Sequence, residues 1–166
     1  MTNKRPVIDT PLTLTDKIME TGSWTLLIAL WVMSSYCVFT FPEIIPVHFK
    51  GSGEADRFGD KFTLLLLPLV STILLLGMTK INQYPHLFNF PVVVTSDNAP
   101  RQYRLAQKMI RFLKLVIVLM FLLINLHTIL TVKGIDTVFR SLLLPLILVM
   151  VFIPTIWFSI KSLQSK

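Results

Sequence analysis

The chain has 166 residues, of which 53% are hydrophobic and only 15% are charged, and its mean hydropathy is +0.67. Soluble domains of this size carry about 25% charged residues, so the composition excludes an ordinary soluble globular protein. The formal net charge is +7. Nucleic-acid binding would need a basic soluble module with base-reading side chains, which the sequence lacks, and we expect no nucleic-acid partner.

Four apolar runs follow one another along the chain. They contain no Asp, Glu, Lys or Arg and cover residues 24–41, 62–79, 115–132 and 141–160. Each reaches the ~18 residues that a helix needs to cross a bilayer. The runs predict an all-α integral membrane four-helix bundle, with residues 1–166 as a single domain in contact with the lipid bilayer. No cleavage pattern follows the first run, so we expect it to be an uncleaved anchor.

The basic residues are distributed unevenly among the connections. The N-terminal segment, the 80–114 region and the C-terminal tail hold Lys4, Arg5, Lys17, Lys80, Arg101, Arg104, Lys108, Arg111, Lys114, Lys161 and Lys166. The other two connections hold Lys50, Arg57, Lys61, Lys133 and Arg140. By the positive-inside rule, this bias predicts that both termini and the middle loop are cytoplasmic. The loop between the first two helices is then extracellular.

The middle loop combines an aromatic turn with a basic helix. Asn89 and Phe90 lie in the turn and are candidate partner contacts. Asn98 and Pro100 are typical of a helix start, because an Asn side chain accepts a free amide and proline is tolerated in the first turn. Basic residues then recur at spacings that predict one helical face, at Arg101, Arg104, Lys108 and Arg111. Such a face favours anchoring to anionic lipid, and docking of a cytoplasmic regulator is the alternative.

The loop at residues 42–61 has a composition that predicts a defined shape. Pro42 and Pro46 stiffen its start, and its glycines permit tight turns. Phe49, Arg57 and Phe58 in this loop are candidate ligand contacts. Its imidazole and carboxylate groups are His48, Glu43, Glu54, Asp56 and Asp60.

These groups raise the question of a metal site. His48, Glu43, Asp56 and Asp60, joined by His127 near the outer end of the third span, offer ligands that Zn²⁺ or Mn²⁺ accepts. Their spacing matches no standard ligand motif. The alternative, which we favour, is a solvated ion-pair network with the lysines and Arg57 that needs no cofactor.

Polar residues are rare inside the spans. Asn125 and His127 lie deep in the third span and are predicted to face the bundle and form hydrogen bonds there. The single cysteine, Cys37, excludes an internal disulfide.

Two groups of residues resemble a known family. The first group is Pro42, Ile45, Pro46, His48, Phe49, Gly53, Asp56, Arg57, Gly59, Lys61 and Pro68. The second is Pro85, Phe88, Asn89, Phe90, Pro91, Val92, Thr95, Asn98 and Tyr103. Both are similar to the uncharacterised domain that opens the SdpI-type immunity proteins of Gram-positive bacteria. The resemblance implies a multi-pass protein of the bacterial plasma membrane, in some members protecting the cell from a peptide toxin and holding a repressor at the membrane.

Three functions are consistent with these patterns. The first is a non-enzymatic immunity or regulatory factor that binds a membrane-active peptide or a partner protein. The second is a membrane-embedded metal-dependent enzyme that uses the first outer loop, although no hydrolase motif is present. The third is an accessory subunit of a transporter or other larger membrane complex, since a stand-alone carrier would need ionisable residues at mid-membrane.

Overall fold

The computed structural model describes residues 5–135 and 139–165. Its main elements are α1 (Leu14–Thr40), β1 (Ile44–Phe49), β2 (Ala55–Asp60), α2 (Leu66–Ile81), α3 (Ala99–Val132) and α4 (Phe139–Leu163). Short 3₁₀ helices cover Lys61–Leu65, directly before α2, and Pro85–Leu87. Four helical segments within the described ranges are long and apolar enough to cross a membrane. The four predicted apolar helices are therefore confirmed, and the chain has the architecture of a multi-pass membrane protein.

Helix α1 begins about ten residues before the apolar run that predicted it. Its start is set by a capping box, in which Thr13 Oγ1 accepts from the amide of Asp16 and the Asp16 carboxylate accepts from the amide of Thr13. These bonds satisfy free amides at the helix start. Hydropathy marks only the part of a helix that suits lipid, so it missed the nearly three turns before Trp24, which contain charged residues.

Helix α3 starts where Asn98 and Pro100 predicted it, but the predicted cap is wrong. The side chain of Asn98 accepts from the amide of Thr95 at 2.9 Å and donates to the carbonyl of Val93 at 3.0 Å. It therefore stabilises the preceding turn instead of the helix. The helix has 34 residues, or about 51 Å at 1.5 Å per residue, and extends well beyond its apolar part.

The connection between α1 and α2 is a β-hairpin, which the all-α prediction did not include. Strands β1 and β2 pair antiparallel from Ile44 opposite Asp60 to Phe49 opposite Ala55. Gly53 has a φ of +79° in the tight turn, a backbone conformation that glycine adopts without steric cost. Residues in β1 are mostly β-branched or aromatic, and this composition favours a strand over a helix.

Helix α3 is the central element and packs against α1, α2 and α4. Its Val118 lies in the middle of the bundle with Leu27, Leu30 and Leu75, all buried. Where the hairpin meets the helices, Ile45 of β1 is fully buried against residues of α1 and of the 3₁₀ helix that precedes α2. The hairpin is thus anchored to the helices by its own apolar face.

The two ends of the bundle carry different elements. At the loop end, defined by residues 82–98 and both described termini, Tyr103 Oη donates to the carbonyl of Pro6 and Gln102 Nε2 donates to the carbonyl of Ser165. The hairpin end, defined by residues 42–60, lies at the opposite side of the apolar helices.

Candidate functional site

His127 of α3 contacts the hairpin and holds its turn against the helix. This residue is 2% exposed, and its Nε2 lies 2.9 Å from the carbonyl oxygen of Gly53. A carbonyl only accepts, so Nε2 carries the proton and donates. The imidazole ring also packs against the ring of Phe49, with centroids 4.4 Å apart. The prediction that His127 faces the interior is confirmed, and its partner is the hairpin.

Close approach of backbones explains why the turn contains a glycine. A Cβ on Gly53 would collide with the backbone oxygen and the side chain of Arg140 at the start of α4. The hairpin turn is therefore pressed between α3 and α4. A larger residue at this position would have to move the turn away from both helices.

A cavity of about 290 Å³, which we call the hairpin cavity, lies beside this turn. Its apolar walls come from β1, α3 and α4 and consist of Val47, Phe49, Ile124, Leu143, Leu144 and Ile147. The polar side chains at the cavity are His48, Lys50 and Arg140. An apolar pocket with a few convergent polar groups is the usual form of a ligand site. The cationic groups suit a ligand that joins an apolar part to an anionic one.

His48 and Asp56 form a contact across the two strands. His48 Nδ1 lies 2.5 Å from Asp56 Oδ1, and the two side chains are 55% and 31% exposed. The hydrogen bond from His48 is the largest influence on the carboxyl group and holds the pKa of Asp56 below its usual value. The pair links the two strands beside the hairpin cavity, at a point where the register shifts on both sides of His48.

The other predicted metal ligands have separate partners. Glu43 pairs with Lys61 at 3.0 Å, and Asp60 Oδ1 accepts from the amide of Phe62 at 2.7 Å. His127 bonds to the hairpin backbone. Within residues 5–135 and 139–165, no three or more His, Cys, Asp or Glu side chains are grouped so that they could hold a metal ion. The metal site stays a prediction, and this geometry gives it no support.

The predicted contact residues of the hairpin have different environments. Phe58 is 61% exposed and Arg57 is also exposed, whereas Phe49 turns inward to His127. Phe58 and Arg57 are available to a partner, while Phe49 forms a wall of the hairpin cavity.

At the loop end, Phe90 packs inward on Tyr103, with ring centroids 5.6 Å apart. Asn89 is exposed, and both Asn89 and Phe90 line a cavity of about 110 Å³ next to Phe158. Phe90 is therefore a structural residue of the loop end as well as a lining residue of that cavity.

The predicted basic face of α3 is divided in two. Arg101, Arg104 and Lys108 line a pocket at the loop end, but Arg111 is only 8% exposed. At about 100° per residue, Arg111 lies within roughly 20° of the exposed Arg104, so its burial comes from its position two turns further along α3, where α1 covers this face of the helix. The prediction of one continuous stripe is wrong for Arg111, which forms an ion pair with Asp16 at 3.3 Å.

A buried charge cluster, which we call the ion-pair network, escaped the sequence analysis. Lys114 is fully buried and contacts Glu20 Oε2 at 2.5 Å and Thr79 Oγ1 at 2.8 Å. Arg111 contacts both Asp16 and Glu20. The available signal was the spacing of four between the acids of α1 and of three between the bases of α3. The network joins α1, α2 and α3 at the loop-end limit of the apolar core.

Comparisons with known proteins give one family model and one relative. Residues 25–72 match a family model described as a domain of unknown function, DUF1648. The match covers most of α1, the whole hairpin and the start of α2. The hairpin with its cavity wall is thus part of the region that this family model describes.

A relative has been found in Archaeoglobus fulgidus, where it is named an uncharacterized protein. It is 32% identical over 121 residues, which is 68% of this chain and 66% of that protein. The chain thus matches just under two thirds of the relative's length. No solved structure matches the chain. Neither match refers to immunity, so the resemblance to the SdpI-type proteins stays a prediction, and what the comparisons show is similarity to a domain of unknown function and to an uncharacterized archaeal protein.

Proposed function

We propose that this chain is a non-enzymatic immunity or regulatory factor of the bacterial plasma membrane that binds a membrane-active peptide at the hairpin cavity. The observation that carries the proposal is the cavity of about 290 Å³ between the hairpin, α3 and α4. Pockets for whole drug-sized ligands measure about 300–1,000 Å³, so this one suits a single anchoring group of a longer molecule. An apolar peptide side chain next to a carboxylate has the required chemistry.

The proposed orientation places this cavity outside the cell. Most lysines and arginines lie in the loop-end segments, and the positive-inside rule makes that end cytoplasmic. Both described termini lie at the loop end, as an even number of crossings requires. A peptide that enters the outer leaflet would then meet the hairpin directly.

The exposed hairpin surface extends the proposed contact. Phe58 is 61% exposed beside the exposed Arg57. Aromatic residues and arginine are among the residue types that contribute most of the binding energy in protein interfaces. We propose only the binding role, because the apolar cavity with cationic groups beside it is the observation that favours one function specifically.

The proposal is tested by filling the cavity. Gly51 lines it, and a Cβ there would lie 3.5 Å from the side chain of Leu144. Gly51→Leu therefore extends into the cavity, whereas Ser52→Leu adds the same side chain to an exposed position of the same turn. Cells with and without the gene are challenged with a panel of membrane-active peptides. We expect Gly51→Leu to lose protection and Ser52→Leu to keep it.

Direct binding is tested by photocrosslinking. A photoreactive residue at Phe58 should capture the protective peptide in living cells, while the same residue at Val93, which is 82% exposed at the loop end, should not. Unchanged peptide sensitivity of cells that lack the gene, across the whole panel, would refute the immunity role.

A further inference from the structure

A second cavity, which we call the basic pocket, lies at the loop end. It has a volume of about 330 Å³ and lies between the start of α1, the first turns of α3 and the end of α4. Its lining residues are Thr13, Asp16, Pro100, Arg101, Arg104, Leu105, Lys108 and Lys161. It takes no part in the peptide site proposed above, which lies at the opposite end of the bundle.

The charges around this pocket are not balanced by the protein. Asp16 is its one acidic lining residue within the described ranges, and its carboxylate already bonds to Thr13 and pairs with Arg111. Arg101, Arg104 and Lys161 are exposed and form no ion pair with a described residue. Several cationic side chains that converge on one cavity attract an anion strongly.

The position of Lys161 is held by the packing of α4 on α3. Gln102 Nε2 donates to the carbonyl of Ser162 at 2.9 Å, and Ser162 Oγ donates back to Gln102 Oε1 at 2.5 Å. Both side chains are buried. These two reciprocal hydrogen bonds keep the last turn of α4 beside the first turns of α3. The basic side chains of both helices therefore line the same pocket.

The depth of the pocket indicates what kind of anion it meets. Lys161 directly follows Ile160, the last residue of an apolar run. It therefore lies at the boundary between hydrocarbon and headgroups, a polar zone about 5–8 Å thick on each side of the bilayer. Leu105 and Pro100 add apolar surface to the lining. A charged group that is attached to an apolar tail fits this position.

We propose that the basic pocket binds the phosphate group of an anionic phospholipid. Arg101 and Arg104 provide planar guanidinium groups, which donate two parallel hydrogen bonds to phosphate oxygens. Lys108 and Lys161 add point charges from α3 and α4. The bound lipid would join the two helices at the leaflet opposite the hairpin.

Native mass spectrometry of the full chain from nanodiscs tests the proposal. The discs contain phosphatidylcholine with or without phosphatidylglycerol, and the measurement is the number of phosphatidylglycerol molecules retained. The test variant is Arg101→Gln with Arg104→Gln. Its matched control is Lys17→Gln with Lys80→Gln, which removes the same charge from exposed loop-end residues that do not line the pocket. We expect about twentyfold weaker retention in the test variant and near-normal retention in the control.

Three results would overturn the assignment. If the test and control variants lost phosphatidylglycerol retention equally, the effect would come from the general surface charge and not from the pocket. Displacement of phosphatidylglycerol by soluble glycerol phosphate at similar concentration would show a site for free anions instead of a lipid. The pocket would be a protein-docking site if the protein retained a soluble poly-glutamate peptide but no phosphatidylglycerol, and if the test variant no longer retained that peptide. Both variants exchange exposed side chains, so each should unfold at the wild-type temperature, which serves as the folding control.

Discussion

The ion-pair network provides a sharp test of how the bundle is stabilised. The ammonium group of Lys114 is fully buried, and its partners are Glu20 and Thr79. Glu20→Gln keeps the size of the side chain but removes the charge that balances the lysine. Arg111 also loses the charge of Glu20 but retains its pairing with Asp16, so the buried ammonium is the cation left without a carboxylate partner.

The magnitude follows from burial. Leaving one member of a buried ion pair without its partner costs about 3–5 kcal/mol. The side chain of Glu20 is 24% exposed and Thr79 still accepts from the ammonium, so we expect the lower limit, about 3 kcal/mol. Glu43→Gln is the matched control, because Glu43 also pairs with a lysine but is 75% exposed. A pair of that kind contributes about 0–1 kcal/mol.

The assay is reversible unfolding in mixed micelles of an ionic and a non-ionic detergent, followed by tryptophan fluorescence. Adding Lys114→Met to Glu20→Gln should recover most of the lost free energy of unfolding, since an apolar side chain replaces the unpaired charge. The reasoning is refuted if Glu20→Gln loses no more free energy of unfolding than Glu43→Gln. It is also refuted if the double variant is less stable than Glu20→Gln alone.

Two further predictions concern the hairpin. Gly53→Ala should undock the turn, because the added Cβ collides with α4 and the φ of +79° is strained for alanine. Hydrogen exchange of the turn amides should rise by an order of magnitude or more, whereas Gly51→Ala, with ordinary contacts, should leave it unchanged. His48→Ala should raise the pKa of Asp56 toward its ordinary value of 3.8, because the hydrogen bond that lowers it is lost. The stabilisation from this lowered pKa is present above the ordinary value and disappears as the pH falls through the folded value. A carboxyl ¹³C NMR titration that shows the same pKa in both proteins would contradict this.

Several features of the fold were predictable from residues alone. The apolar runs identified four helices, because hydropathy is a sum over neighbouring residues and needs no knowledge of other elements. Pro100 marked the start of α3 correctly, because proline suits the first turn of a helix, although the side chain of Asn98 bonds to the preceding turn instead of capping the helix. Asn125 was expected inside the bundle, where its amide donates to Ser34 Oγ at 2.6 Å, because an unpaired amide is costly in lipid.

Pairings between distant residues were not predictable. The spacing of the basic residues on α3 did not reveal that Arg111 faces α1 while Arg101 faces the basic pocket. The same limit applies to His127, whose partner Gly53 comes from the hairpin turn. Such contacts depend on the rotation and depth of whole helices relative to one another.

The amino-acid sequence by itself determined which segments enter the lipid and where polar groups interrupt them, since transfer from water to hydrocarbon is decided residue by residue. Only the tertiary structure decided that residues 42–60 form a hairpin docked on α3 and that Lys114 is neutralised by Glu20. Ion pairs and cavities exist only where packing brings separate helices within a few ångströms, and that packing is a property of the assembled bundle.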